Sequence, residues 1–410
     1  MADRETVAAD ELQPVIFGAG TVAEGGRRKL AALDGIRGLA VLTVMMSHFE
    51  RFLPNAAAVA PLKTLFAYGW SGVDLFFVLS GFLITGILMQ TKTSLNYFRS
   101  FYARRVLRIF PIYYATLVVV FAVIAIVPGI QNVPPADQRW TYFAYLENWI
   151  PLWTGAWPPN VLGHFWSLAV EEQFYLVWPL CVLLLTQRGV LRAAVALSLV
   201  ALALRCIWVA HSGATPAVML WTLPRMDSLL VGAIAAVFFA RGQWKDGRML
   251  TGICLTSLGA FAAGVVATAW GKEPAASFGF VSTIGYTLLA VGFGALVLGA
   301  AYGDGRPGLV QRVFRERWLS LVGKYSYGMY VYHVPLLGIC ELVIYRHLPQ
   351  ALRDDPAFGL AYVAFLTVGT YAVAAISFRF VEAPILRLKR HFEPLFAKDD
   401  PVVSNRAQRE

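Results

Sequence analysis

Charge is scarce in this chain of 410 residues: Asp, Glu, Lys and Arg make up 15%, against about 25% in soluble domains. With 58% apolar residues and a mean hydropathy of +0.58, that scarcity excludes a soluble globular enzyme and a disordered chain. Cysteine is scarcer still. Cys181, Cys206, Cys254 and Cys340 each sit in an apolar run and form no CxxC pair. A disulfide-stapled scaffold is therefore excluded, and a redox or structural metal centre has no support. No internal repeat of the kind that marks many transporters is present. Neither a Walker-type glycine loop nor an HExxH spacing occurs, so ATP hydrolysis and metal chemistry are not expected. The long apolar runs argue against a transmembrane β-barrel, whose strands alternate.

What is present is a series of apolar runs long enough to cross a bilayer, which takes about 20 residues. The expected fold class is an all-α, polytopic transmembrane bundle of ten spans, near 36–53, 66–90, 110–128, 163–187, 190–210, 225–240, 249–270, 278–301, 325–346 and 357–381. Residues 1–32 read as a polar tail and not a secretory signal, 33–390 as the membrane domain and 391–410 as a second tail. The net charge is +10. With the N-terminus inside, and with Arg51, Arg192, Arg225 and Arg346 near span edges counted to the adjoining loops, cytoplasmic segments hold 25 of the 35 basic residues, outer loops 7, and the span interiors three: Arg37, Arg205 and Arg379. The positive-inside rule then puts both termini in the cytoplasm. The basic excess points to membrane lipid and cytoplasmic loops, not to nucleic acid. The outer loop from Gly129 to Gly163 is rich in tryptophan and proline, with a short helix expected near Tyr142 to Trp149. It reads as an interfacial aromatic belt or as an acceptor-binding lid.

Ionisable groups inside spans are costly and mark function by default. The first span carries Arg37 and His48, eleven residues apart and hence on one helix face about 16 Å apart. The second carries Asp74. The fourth carries His164, Trp166, Ser167, Glu171, Glu172 and Tyr175, with His164 and Glu171 expected on one face and Glu172 turned about 100° away. The ninth carries Ser326, Tyr330 and His333, again on one face. His48, Asp74 and Glu171 fall at similar depth in the outer half. A carboxylate beside His48 would fix its tautomer and raise its basicity, as a general base at an alcohol requires. Arg104, Arg105 and Arg108 form a cytoplasmic cluster suited to phosphate. Positive-inside charge and helix–helix polar contacts are the bland alternatives.

At these residues the sequence resembles the bacterial membrane-bound acyltransferase 3 family, which includes O-antigen and exopolysaccharide O-acetyltransferases. The matching pieces are LDGIRGLAVLTVMMSHF, GVDLFFVLSGFLIT, FYARRVLRIFPIYY, FWSLAVEEQFYLVWP, GKYSYGMYVYHVP and RFVEAPILRL, in family order from about residue 33 to 390. The resemblance implies an O-acyltransferase of the bacterial inner membrane, taking an acyl group, usually acetyl, from cytoplasmic acyl-CoA. Its Arg-x10-His motif falls on Arg37 and His48. Its RxxR motif, associated with acyl-CoA, falls on Arg105 and Arg108. Its WSLxxE motif falls on Trp166, Ser167, Leu168 and Glu171.

The expected mechanism follows. Arg105 and Arg108, with Arg104, hold the phosphates of the acyl-CoA, and its arm threads past Arg37. His48 takes the proton from an acceptor hydroxyl, oriented by Glu171 or Asp74. Trp166, Ser167, Tyr330 and His333 are expected to contact or orient the substrates. An acyl-His48 intermediate is the variant. The acceptor is a cell-surface or lipid-linked carbohydrate, or alternatively a secondary metabolite such as a macrolide. The alternatives of another class are a flippase for a lipid-linked glycan and a lipid-binding structural protein.

Overall fold

The structure is a computed structural model that describes residues 31–127, 130, 132–159, 161–269, 277–303 and 309–396. Residues 1–30 and 397–410, most of the two expected tails, lie outside the described residues. Among the described residues ten long helices follow one another: α1 (Ala31–Phe49), α2 (Gly72–Thr91), α3 (Tyr97–Ile126), α4 (Trp166–Leu184), α5 (Gln187–Ser212), α6 (Thr222–Ala240), α7 (Gly247–Ala269), α8 (Tyr286–Tyr302), α9 (Arg317–Val343) and α10 (Pro356–Ser377). No strand occurs among the described residues. Among the described residues nine segments, each built on one of α2 to α10, are long and apolar enough to cross a membrane. α1 is not among the nine, because Asp34, Arg37 and His48 fall within its 19 residues. At 1.5 Å per residue it still measures roughly 28 Å. The chain is an all-α, multi-pass membrane bundle.

Burial sorts the helices. Within its apolar window α2 is 78% buried, against 17% for α5 and α7, whose apolar surface is left mostly uncovered by the rest of the bundle. α2 packs on α6, and α1 on α9. Both contacts are close because glycines remove the side chain where backbones meet. A Cβ on Gly81 would stand 1.8 Å from the Leu229 carbonyl oxygen, and one on Gly232 would stand 2.1 Å from that of Val78.

Local chemistry sets the helix ends. Asp355 accepts the Ala357 amide at 2.8 Å, and Pro356 opens α10, a capped start with proline where no donor is lost. Hydropathy begins the third span at 110, but the helix begins at Tyr97 and runs unbroken for 30 residues. The cationic stretch is polar without containing a helix breaker, so Arg104, Arg105 and Arg108 ride on the helix instead of preceding it. A further helical arginine, beyond the three counted from the sequence, is Arg225, which lies in α6 and is 1% exposed. The outer loop folds as a helix Arg139–Phe143, a turn Glu147–Trp149 and a helix Ile150–Thr154, where one helix was expected.

Candidate active site

α1, α2, α3, α4 and α9 enclose a cavity of about 730 Å³, its open mouth included. Arg37, Arg105 and Arg108 line it, and so do Glu171 and Glu172. Ser80, Tyr175 and Tyr327 complete the polar wall, and Ser167, Ser326 and Tyr330 line it as well.

On α3, Arg105 and Arg108 share a face because they are three residues apart. The Arg105 guanidinium lies over the rings of Phe101 and Tyr175, at 5.8 and 5.7 Å. Neither arginine has an ion-pair partner within 4 Å among the described residues, whereas Arg37 meets Asp34 at 3.6 Å. Glu171 accepts a hydrogen bond from Ser80 at 2.6 Å. Glu172 also lines the cavity, although the helical wheel turns it away from Glu171. One Glu172 oxygen is buried without a hydrogen-bond partner.

Ser167 and Tyr330 are hydrogen-bonded at 2.5 Å. The His164 carbonyl also lies 3.2 Å from the Ser167 hydroxyl and 2.9 Å from that of Tyr330. Two hydroxyl protons serve three contacts, so one hydroxyl donates to the carbonyl and the other donates to that hydroxyl. No third proton is left over for a ligand.

Next to Tyr330 three imidazoles cluster. The His333 ring stands 4.9 Å from that of His48 and 4.9 Å from that of His164, edge to face in both cases. Each histidine has one nitrogen on a backbone carbonyl: His48 Nδ1 on Val44 at 2.9 Å, His333 Nδ1 on Tyr330 at 2.6 Å and His164 Nε2 on Val331 at 3.3 Å. Carbonyls only accept, so those nitrogens carry the protons and the others are bases. His164 Nδ1 and His333 Nε2 are buried with no partner. The Val331 carbonyl is free to accept because Pro335, four residues on within α9, has no N–H to give it. Among the described residues no group of three His, Cys, Asp or Glu side chains is placed to hold a metal ion.

Of the residues expected in the site, Arg37, Arg105, Arg108, Ser167, Glu171 and Tyr330 line the cavity. His48 and His333 stand beyond its Tyr330 end, and Arg104 is half-buried outside the lining. The expected partnership of His48 with a carboxylate is corrected: no hydrogen bond or ion pair joins it to Glu171 or Asp74. Asp74 is fully buried and accepts from Arg225 at 2.9 Å and Ser228 at 2.8 Å. The strong guanidinium–carboxylate attraction holds it there. Trp166 stands by that pair, its ring 5.8 Å from the Arg225 guanidinium. His164 sits in the 3₁₀ turn Gly163–Phe165 that opens α4 and bonds the Val331 carbonyl, outside the cavity lining that holds Glu171. A second pair, Arg205 with Asp227 at 2.6 Å, lies buried near the first. Sequence reading missed Arg225 and Asp227, although two ionisable residues in the apolar run TLPRMDSLLVG were a usable signal.

The outer loop is fastened to the bundle by polar groups. Gln173 on α4 donates to the Tyr145 carbonyl at 2.7 Å and to Asn148 at 2.9 Å. Glu147 is fully buried beside the Tyr113 hydroxyl, 3.2 Å away. Burial pushes its carboxyl well above the ordinary carboxylate range. Trp140, Trp153 and Trp157 remain exposed on the outer surface of the loop.

A family model described as "Acyltransferase domain", that of acyltransferase 3, matches residues 30–379. The chain belongs to the acyltransferase 3 family. Among curated proteins, peptidoglycan O-acetyltransferase OatA of Listeria monocytogenes is 28% identical over 389 residues, covering 88% of this chain and 56% of that protein. Putative peptidoglycan O-acetyltransferase YrhL of Bacillus subtilis is 27% identical over 376 residues, covering 87% and 55%. O-acetyltransferase OatA of Staphylococcus aureus is 26% identical over 380 residues, covering 87% and 57%. The chain thus spans about half the length of the curated relatives it matches. No solved structure matches this acyltransferase 3 chain.

Proposed function

We propose that this protein moves an acyl group, acetyl by the names of its relatives, from cytoplasmic acyl-CoA to a hydroxyl of a cell-wall or lipid-linked carbohydrate, across the bacterial inner membrane. One observation carries the reading. A single cavity runs from two guanidinium groups without ion-pair partners, Arg105 and Arg108, to the hydroxyl pair Ser167 and Tyr330, beside which the histidines cluster. Guanidinium forks suit phosphates, and the positive-inside count supports a cytoplasmic mouth.

In this reading Arg105 and Arg108 hold the donor phosphates and Arg37 flanks the arm. The acceptor oxygen attacks the thioester carbonyl while His48, through Nε2, takes its proton. The carbon–sulfur bond breaks, and coenzyme A leaves as the thiolate, later protonated. The Val44 carbonyl fixes the His48 tautomer, a task usually given to a carboxylate. His333 packs against the His48 ring and positions it. Tyr330 and Ser167 hold the His164 backbone, and Glu171 keeps Ser80 turned into the cavity. General acid–base catalysis of this kind is worth about 10²–10⁴-fold. The covalent variant places the acyl group on His48 Nε2 before the acceptor arrives.

The test is incubation of membranes holding the protein with radiolabelled acetyl-CoA and extracted glycan. Label in the glycan, lost in His48→Ala membranes that contain normal amounts of protein, supports the reading. Glycan accumulating in vesicles without acylation would replace it with transport. Label trapped on His48 without acceptor selects the covalent route. Label on a supplied macrolide and not on glycan moves the acceptor to secondary metabolites.

A further inference from the structure

The family match ends at residue 379, yet the chain continues back to the cavity mouth. The segments Ala383–Arg387 and Leu388–Phe392 pack on the first turns of α3. Asn96 clamps this strap from both sides, donating to the Glu393 carbonyl at 2.9 Å and accepting the Leu395 amide at 2.8 Å. Ser100 donates to the Phe392 carbonyl at 2.8 Å, and Arg99 lies over the Phe392 ring. One turn earlier, half-buried Lys389 lies in the field of Arg108, Arg105, Arg104 and Arg37. Carboxylates of Asp34, Glu171, Glu172, Glu382 and Glu393 also face this group. Only Asp34 comes within 4 Å of one of these cations, Arg37. Among the described residues Lys389, Arg104, Arg105 and Arg108 therefore make no ion pair. Five cations gathered at one mouth repel one another, and a polyanion relieves that repulsion.

We propose that the strap is the outer wall of the donor site and that Lys389 takes the 3′-phosphate of acyl-CoA. This rests on the donor reading above. Arg37, Arg105 and Arg108 line the cavity, whereas Arg104 and Lys389 stand outside its lining. The pyrophosphate, joined directly to the arm, meets the inner arginines. The 3′-phosphate, carried on the ribose, meets the outer pair.

The experiment measures equilibrium binding of acetyl-CoA and 3′-dephospho-acetyl-CoA to the full chain in phosphatidylcholine nanodiscs, with and without phosphatidylglycerol. Lys389→Gln weakens acetyl-CoA about 10-fold to 100-fold, the range for hydrogen bonds to charged groups, and leaves the dephospho donor unchanged. Lys389→Arg restores binding. The empty Lys389→Gln protein melts no lower than wild type, since a mutually repelling cation has been removed. Equal weakening of both donors, or none, overturns the proposal. An effect confined to phosphatidylglycerol discs overturns it in favour of a lipid headgroup. If the wild type binds no acetyl-CoA, the donor reading itself fails. If it binds acetyl-CoA normally and the variant does too, only the role of Lys389 fails.

Discussion

His48 and His333 meet edge to face with ring centroids 4.9 Å apart, and among the described residues neither is hydrogen-bonded or ion-paired to a carboxylate. The base proposed for acyl transfer is thus held by a backbone carbonyl on one side and the His333 ring on the other. His333→Phe keeps an aromatic ring in place and removes both nitrogens. It is expected to lower kcat about 10-fold to 100-fold with KM for acetyl-CoA unchanged, and to shift the acidic limb of the pH–rate profile. His48→Ala is expected to abolish turnover. A His333→Phe enzyme with an unaltered kcat and pH profile would remove His333 from the mechanism.

The Asp74–Arg225 pair is a stability device in this account. Both side chains are almost wholly buried. Arg225→Met strands Asp74 and should cost about 3–5 kcal/mol, as broken buried pairs do. Asp74→Leu combined with Arg225→Met should recover most of that loss. Thermal melts in detergent read the comparison, and a double variant as unstable as the single one contradicts it.

Gly81 and Gly232 allow α2 and α6 to touch. A methyl group at Gly81 has backbone oxygen where it must go, so it cannot be accommodated by a rotamer change. Gly81→Ala should destabilise by about 1–3 kcal/mol, the range for overpacking. Gly247→Ala, where nothing lies within 4 Å of the added atom, should be neutral. Folded yield and melting temperature separate the two.

The buried Glu147 carboxyl predicts a pH dependence of the outer loop. Its folded pKa is raised, so its contribution is complete below the unfolded value of about 4.3 and is lost as pH rises toward the folded value. Stability then falls with pH by up to about 1.4 kcal/mol per unit over that window. Glu147→Gln, which resembles the neutral acid, should flatten the slope. Melting temperatures between pH 5 and 9 provide the measurement, and a slope that persists in the variant assigns the titration to another group.

Fold class was legible because lipid leaves helices as the way to satisfy a backbone inside apolar runs. Span edges were less so at α3, where hydropathy stops at the arginines and the helix does not. Within the site, Arg37, Arg105, Arg108 and Glu171 were readable as costly groups in apolar stretches. The partners were not. A helical wheel gives an angle and not a neighbour: His164 meets the Val331 carbonyl, while Glu171 faces the cavity. Depth alone put Asp74 beside His48, while the side chain that takes its charge, Arg225, comes from a helix 151 positions away in sequence. Glu172 entered the cavity because the cavity wraps around α4, a curvature that spacing along one helix does not encode.

The clamp at Asn96 has a consequence for biogenesis. It joins residues 297 and 299 positions apart, so the mouth has no outer wall until the tenth helix has left the ribosome and inserted. A nascent chain stalled after nine helices would possess every arginine of the cavity and the three histidines beside it, yet nothing would close it from the side where the strap belongs.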